Sequence, residues 1–264
     1  MGTAKVQGAL WGERAEDWAM YTEQTALPLF GAVLDAARVT VGRRLLDAGC
    51  GAGLTTLLAS LRGAEVAAVD ASPALVAITR QRVPKADVRE ADLDALPFAD
   101  DTFDAVAAVN SVFYAADIQV AVRELVRVAR PGGRVVVTAW APPIRCEFLT
   151  AVMPKLAPLM PPPPPGAPPP HPGALSEPGA LAALLGKEGL RVAEEGEVAC
   201  PFVFASTEAS WRANASAGVN RAAIAHSGEA AVRAVYAEAD RRQERPDGSV
   251  RYANVFLWCM GQKP

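Results

Sequence analysis

The sequence predicts an α/β fold in which helices cover both faces of a mostly parallel sheet. Between residues 41 and 140, short apolar runs typical of strands alternate with segments of helical periodicity. The run at residues 103–109 is apolar almost throughout, which indicates a strand buried on both faces. Repeated strand–helix units of this length imply parallel strands joined by crossover helices.

Each predicted element carries a local signal. Ser72 and Pro73 supply an N-cap and a first helical residue, and the Arg-Pro-Gly-Gly turn at 130–133 ends an amphipathic helix. The first strand is the apolar run that ends at Asp47. The other predicted strands cover 65–70, 86–91, 103–109, 134–140 and 252–260, with further sheet-like sequence at 190–204. The predicted helices cover 54–62, 72–82, 117–129, 208–220 and 229–243.

The segment at residues 154–172 is dense in proline and includes an unbroken proline run at 161–165. Composition alone favours a solvated polyproline linker. The apolar residues that precede the run are spaced as in an amphipathic helix, which favours a different interpretation. We expect an insertion that leaves the sheet after the fifth strand and has a stiff loop at its tip.

Composition excludes several classes of function. The formal charge of −3 gives no basic surface for nucleic acid. No stretch approaches the roughly 18 apolar residues that a membrane helix needs, and the N-terminus lacks an apolar signal-peptide core. The four cysteines are far apart and form no metal-type pair, so we expect reduced thiols in a cytoplasmic protein without a bound metal.

The most informative motif is the glycine-rich turn at residues 47–53. Its spacing is G-x-G-x-G, whereas a dinucleotide-binding fold needs G-x-G-x-x-G with an acid about 20 residues further on. Asp47 precedes the first glycine by two residues and would face a bound pyrophosphate unfavourably. An acid at this position is favourable if the ligand carries a cationic amino group.

At these residues the chain resembles the class I S-adenosylmethionine-dependent methyltransferases, and the resemblance covers about residues 40–140. A second acid, Asp70, ends the second strand, where the family holds the ribose hydroxyls. Asp92 follows the third strand, where the family binds the adenine amino group, with Leu93 packing on the ring. The resemblance implies a Rossmann-like sheet of seven strands and S-adenosylmethionine as the cofactor. Bacterial enzymes of ubiquinone, menaquinone and secondary-metabolite biosynthesis are the nearest type.

The resemblance also implies a set of residues around the cofactor. They comprise the glycine turn, the ends of strands two to four and two aromatic residues of the N-terminal segment. The predicted cofactor-binding residues are Trp18, Tyr21, Asp47, Ala48, Gly49, Gly51, Gly53, Asp70, Ala71, Ala91, Asp92, Leu93, Asn110, Ser111 and Phe113.

We expect one domain over residues 1–264, with four parts. Related small-molecule methyltransferases have an N-terminal helix that closes over the cofactor, so residues 1–40 are predicted to form a helical lid. The aromatic side chains of this segment could equally well pack on the sheet without covering a ligand. The cofactor-binding core is 41–140, the proline-rich cap insertion 141–189, and the C-terminal part of the sheet with a helical insertion 190–264.

The predicted reaction is methyl transfer to an oxygen or nitrogen of a small, hydrophobic or aromatic metabolite. Tyr114, at the carboxyl edge of the fourth strand, is placed to orient the acceptor. His171 and His226 are the two candidate bases, although a neutral amine acceptor would need none. No nucleic acid or membrane partner is expected, and the protein is predicted to be a monomer or homodimer.

Three alternatives stay open at this point. The same fold could use bound S-adenosylmethionine for a cyclisation or rearrangement without methyl transfer. The protein could bind the cofactor and be catalytically silent. An NAD-dependent oxidoreductase is disfavoured by Asp47 and by the glycine spacing.

Overall fold

A computed structural model describes residues 3–162, 173 and 175–264, and it confirms the α/β fold. Seven strands form a sheet in the order β3-β2-β1-β4-β5-β9-β6. The strands are β1 (Arg44–Ala48), β2 (Glu65–Asp70), β3 (Asp87–Glu90), β4 (Phe103–Ala108), β5 (Ala129–Trp140), β6 (Arg191–Ala199), β7 (Phe202–Phe204), β8 (Val250–Tyr252) and β9 (Val255–Gln262). Strands β1 to β5 are mutually parallel where they pair, and β9 runs antiparallel to both of its neighbours.

Helices surround this sheet as the sequence predicts. They are α1 (Ala4–Gly12), α2 (Ala15–Asp17), α3 (Leu27–Ala36), α4 (Leu54–Leu61), α5 (Pro73–Arg82), α6 (Ile118–Val128), α7 (Glu147–Leu156), α8 (Ala180–Lys187), α9 (Thr207–Ser216), α10 (Gly218–Ser227) and α11 (Glu229–Gln243). Consecutive residues of β1 show the two-sided core. Leu45 packs into the apolar cluster that includes α3, and Leu46 into the cluster that includes α6, because successive strand residues point to opposite faces.

The sheet-like sequence at 190–204 forms two strands rather than one. Strand β7 leaves the main sheet and pairs with β8 in a separate two-stranded sheet. The strand predicted at 252–260 starts at Val255 in the structure. Asn254, which precedes it, is buried, and its backbone carbonyl accepts the Cys200 N–H at 2.8 Å. Its side-chain oxygen accepts the Phe148 N–H at 3.2 Å.

The helix predicted at 208–220 is also divided. The backbone at Ala217 is extended, with φ −70° and ψ 132°, so α9 ends at Ser216 and α10 begins at Gly218. The close approach of Trp11 requires a glycine here, since a Cβ on Gly218 would lie 2.6 Å from its Nε1 atom. The N-terminal segment and α10 therefore pack together directly.

The described helices include none that is long and apolar enough to cross a membrane. Helix α7 packs against α11, and Leu181, Leu184 and Leu185 of α8 pack in the same apolar cluster as one face of the sheet. The four cysteines are buried as free thiols.

Candidate active site

Three glycines shape the turn between β1 and α4. Gly49, Gly51 and Gly53 have φ values of +80°, +57° and +87°, a left-handed conformation that favours glycine. A Cβ on Gly49 would lie 2.3 Å from the Ser111 Cβ. The turn is therefore wedged against the end of β4 and has no space for a side chain at this position.

Replacing Gly49 with alanine should be far more destabilising than the same change at Gly42. Gly42 also has a positive φ, +74°, but a Cβ there would meet nothing within 4 Å. Gly42→Ala should cost about 1–2 kcal/mol for the left-handed backbone alone. At Gly49 the displacement of Ser111 should add about 1–3 kcal/mol. Urea unfolding of both variants measures the difference, and equal losses would contradict the packing of the turn against Ser111.

Asp47 is the most buried acid of the site. It is 1% exposed, and its Oδ2 accepts a hydrogen bond from the Thr56 hydroxyl at 2.7 Å. Burial, together with the negative charges of Glu23 and Asp70, raises the pKa of Asp47 to about 7. The site therefore favours a positively charged group beside this carboxyl.

Asp70 supports the turn from the end of β2. Its Oδ2 accepts the Gly51 N–H and its Oδ1 accepts the Ser72 N–H, both at 2.9 Å. Desolvation raises the pKa of Asp70 to about 6, although these two hydrogen bonds favour the ionised form. The structure thus brings the two predicted acids to the same turn.

A third acid, Glu23, joins them and was not predicted from the sequence. It comes from the N-terminal segment, is 5% exposed, and accepts the Leu54 N–H at the start of α4 at 2.9 Å. It also forms an ion pair with Arg82, whose guanidinium donates to the Ala52 carbonyl at 2.8 Å. Burial raises the pKa of Glu23 despite this partner. Glu23 ties the predicted lid to the glycine turn.

The end of β4 is held by hydrogen bonds to β1 and β5. Asn110 has a φ of +51°, and its N–H donates to the Thr138 hydroxyl at 2.9 Å, which in turn donates to the Asn110 Oδ1 at 2.9 Å. The Ser111 hydroxyl donates to the Ala48 carbonyl at 2.7 Å. Thr138 was not predicted as a site residue; it fixes the turn that carries Asn110 and Ser111.

The predicted adenine-binding residues lie after β3, beside the acid of β2. The Ala91 N–H donates to the Asp70 carbonyl at 3.0 Å, and the Asp92 Oδ1 accepts the Asp94 N–H at 3.2 Å. Leu93 is partly buried and packs against the sheet core. Asp92, Leu93 and Asp70 are therefore neighbours at one edge of the sheet.

The N-terminal segment covers this edge. A Cβ on Gly8 would lie 2.1 Å from the carbonyl oxygen of Ala71, so α1 rests directly on the chain that follows β2. The Trp18 indole lies at the glycine turn, since a Cβ on Gly51 would be 3.2 Å from its Nε1. That Nε1 is buried and has no hydrogen-bond partner among the described residues. An N–H is thus available to a ligand at the turn.

Tyr21, the other predicted lid residue, faces helix α9 instead of the turn. The Arg212 guanidinium lies 4.5 Å from its ring centre and donates to its hydroxyl at 2.8 Å. The contact holds the N-terminal segment on the helices that follow β7. The structure therefore brings Trp18 to the glycine turn and pairs Tyr21 with α9.

The structure describes two of the three candidate catalytic residues, Tyr114 and His226. The Tyr114 ring lies 4.7 Å from Phe113 and 5.2 Å from Trp11, and its burial raises the pKa of its hydroxyl well above the usual value. His226 is exposed in the last turn of α10. His171 lies outside the residues that the structure describes.

Comparison with known proteins adds independent information. Residues 46–137 match the family model of methyltransferase domains. An uncharacterized protein of Mycobacterium tuberculosis is 38% identical over 141 residues, which are 52% of this chain and 51% of that protein. A demethylmenaquinone methyltransferase of Mycolicibacterium paratuberculosis is 38% identical over 120 residues, 45% of this chain and 51% of that enzyme. The chain thus spans about half the length of these curated relatives.

Solved structures share the fold over most of the chain. The cyclase SpnF has a TM-score of 0.56 and 21% sequence identity, covering 92% of this chain and 82% of that chain. The sheet order, the glycine turn and the family match agree with one another. Residues 46–137 therefore match a methyltransferase domain, and S-adenosylmethionine is the cofactor that such a domain implies.

Proposed function

We propose that the protein transfers the methyl group of S-adenosylmethionine to an oxygen or nitrogen of a small, hydrophobic or aromatic metabolite. The observation that carries the proposal is the group of three buried or partly buried carboxyl groups, Glu23, Asp47 and Asp70, around the glycine turn. Burial and mutual repulsion raise the pKa of Asp47, and a cationic ligand would offset both effects by stabilising the ionised carboxylate. A pyrophosphate would increase the repulsion.

The residues present fit S-adenosylmethionine. The cofactor would find a carboxylate at Asp70 for its ribose hydroxyls and an acid at Asp92 for its adenine amino group. Gly51 leaves open the space that a Cβ would fill, and the unpaired Trp18 N–H lies beside that space. In this proposal Ala48, Gly49, Gly53, Ala71, Ala91, Leu93, Asn110, Ser111 and Phe113 border the cofactor.

The protein's part in the reaction is to position the acceptor and to exclude water. When bound, the cofactor supplies a methyl group already activated by its positive sulfur. Holding an acceptor in line with that group supplies most of the acceleration. Burial keeps the Tyr114 phenol neutral, so it would orient the acceptor by a hydrogen bond rather than act as a base.

His171 and His226 remain our candidates for a base. Replacing both histidines separates two possibilities. Turnover lost between pH 6 and 9 would assign a base to one of them, and retained turnover would leave positioning alone.

Cofactor affinity should fall as the pH is lowered from 7.5 to 5.5. Asp47, with a pKa of about 7, and Asp70, with a pKa of about 6, take up protons over this range and lose the charge that holds a cation. We expect about a tenfold loss, since one linked proton changes the binding constant up to tenfold per pH unit. Calorimetric titration with S-adenosylhomocysteine, whose ammonium keeps its charge over this range, measures the effect.

The Asp47→Asn variant is the control for this prediction. It should bind more weakly at pH 7.5 and should show a smaller pH dependence, because one titrating group is gone. The stability of the wild-type protein without cofactor should change with pH in the opposite direction. Its unfolding free energy should rise as the pH falls from 7 towards 4, because the native carboxyls bind protons before the unfolded chain does. Affinity that is constant across the range would contradict a role for these carboxylates.

The fold shared with the cyclase SpnF favours a second candidate, a rearrangement in which the cofactor is bound but not consumed. A silent cofactor-binding protein is the third. The deciding experiment incubates the protein with S-adenosylmethionine and a panel of hydroxylated and amino aromatic acceptors, together with reduced demethylmenaquinone, the compound named for one relative. The proposal predicts one S-adenosylhomocysteine per methylated product. A converted acceptor without S-adenosylhomocysteine would identify the second candidate.

We further propose a cytoplasmic location, a monomeric or homodimeric state, and no nucleic acid partner. The four parts predicted from the sequence, including a cap insertion at 141–189, also remain proposals. Their support is the acidic composition and the packing of α1 on the chain that follows β2.

A further inference from the structure

Arg221 is a buried cation whose donors are not all used. It lies in the first turn of α10, is 8% exposed, and its Nη2 contacts the Glu13 carboxylate at the end of the N-terminal helix. Its Nε and Nη1 atoms are buried, and neither has a hydrogen-bond partner among the described residues. Buried donors without partners are unfavourable, and the guanidinium group cannot lose its charge to relieve this. A ligand that accepts hydrogen bonds from these two nitrogen atoms would explain why this arginine is buried.

The position of Arg221 connects it to Tyr114, the residue predicted to orient the acceptor. Gly218 precedes it by three residues, so the two lie on the same face of α10. Trp11 packs against Gly218, and the Trp11 ring lies 5.2 Å from that of Tyr114 at the end of β4. The guanidinium is therefore on the helix face that packs against the lid and the aromatic residues at the carboxyl edge of the sheet. Ala217, which precedes α10, provides no side-chain cap for this helix.

We propose that Arg221 binds an anionic oxygen group of the acceptor, a carboxylate or a phosphate. This inference rests on the proposed small-molecule methyl transfer. It restricts the acceptor to a molecule with an apolar or aromatic body and one anionic end. Guanidinium groups bind such oxygens through several parallel hydrogen bonds. Glu13, which is half-exposed on the lid, holds one nitrogen of the guanidinium and leaves the donors on the other two to the ligand.

The test compares charged and neutral probes of the same shape. Calorimetry measures the binding of 2-naphthoate against 2-naphthamide, and of 2-naphthyl phosphate against 2-naphthol, to the protein saturated with S-adenosylhomocysteine. The wild type should bind at least one anion about tenfold or more tightly than its neutral partner. The two pairs show whether the site takes a carboxylate or a phosphate.

The variant Arg221→Met should abolish this preference and leave the affinity for S-adenosylhomocysteine within about twofold of the wild type. The matched control is Arg212→Met, which removes another arginine that links the lid to the following helices. Arg212 pairs with Asp17 and Tyr21 and is 43% exposed in its side chain. This control should keep the preference for the anion.

A second measurement separates ligand recognition from a structural role. Because the donors of Arg221 are unpaired, Arg221→Met should have an unfolding midpoint equal to or above that of the wild type, whereas a residue needed for folding would lower it.

The inference is overturned if the wild type does not prefer either anion, if Arg221→Met keeps the preference, or if its unfolding midpoint falls. The wild-type comparison decides alone if the variant does not fold. Absence of S-adenosylhomocysteine binding would instead refute the proposed function, and the probe pairs would still report on Arg221.

Discussion

Replacing Asp70 with alanine should weaken S-adenosylmethionine binding by about 10- to 100-fold. This corresponds to about 1.5–3 kcal/mol, the range for hydrogen bonds to a charged group. Besides the loss of ribose contacts, the structure gives a second reason for the weaker binding. Asp70 accepts the N–H groups of Gly51 and Ser72, so its removal should also loosen the turn at which we propose that the cofactor binds. Equilibrium binding by calorimetry measures the effect.

Two further variants separate the affinity lost with the ribose contacts from the affinity lost through the loosened turn. Asp70→Asn keeps an acceptor for one backbone N–H but removes the charge, so its affinity should lie between those of the wild type and the alanine variant. Asp87→Ala removes a half-exposed acid at the amino end of β3, away from the turn, and should bind normally. If Asp70→Ala bound S-adenosylmethionine as tightly as Asp87→Ala does, the assignment of Asp70 to the ribose hydroxyls would be wrong.

A single methyl group on Gly8 should open the lid. The new Cβ would lie 2.1 Å from the Ala71 carbonyl oxygen, so helix α1 must move away from the chain after β2. We expect S-adenosylhomocysteine to dissociate about tenfold faster from Gly8→Ala, a change of about 1.4 kcal/mol. The sheet should keep its stability, because the apolar clusters on its two faces do not include α1. Stopped-flow displacement measures the rate.

Gly31→Ala is the matched control for the lid prediction. Gly31 lies inside α3, where a Cβ would meet nothing within 4 Å, so alanine should leave the dissociation rate unchanged and improve helix propensity. If Gly8→Ala released the cofactor as slowly as this control does, α1 would be packing on the sheet without covering a ligand. That outcome would support the alternative role for the N-terminal aromatic residues.

The acids at the ends of β1 and β2 could be predicted because their positions follow from local sequence and sheet geometry. Asp47 and Asp70 each end an apolar run, and parallel strands end at the same edge of a sheet. The glycine spacing then indicates which ligand the edge holds. The division of the helix at Ala217 has no comparable local signal, and the contact between Trp11 and Gly218 beside it joins residues far apart in sequence.

Residues that act through distant contacts could not be predicted in this way. Glu23 reaches the Leu54 N–H and Arg82, which are 31 and 59 residues away in sequence. Thr138 reaches Asn110 across the sheet, and Arg221 reaches Glu13 from the other end of the chain. In the sequence, the type and spacing of these residues are the same as at ordinary surface or core positions. Only the folded chain brings them together.

We propose that the glycine turn and its carboxylates select a cationic S-adenosyl cofactor over a dinucleotide. Calorimetric titration of the wild-type protein with S-adenosylmethionine and, separately, with NAD⁺ tests it most directly. We predict one S-adenosylmethionine bound per chain and no heat of binding for NAD⁺ at the same concentrations. Binding of NAD⁺ without binding of S-adenosylmethionine would contradict the claim.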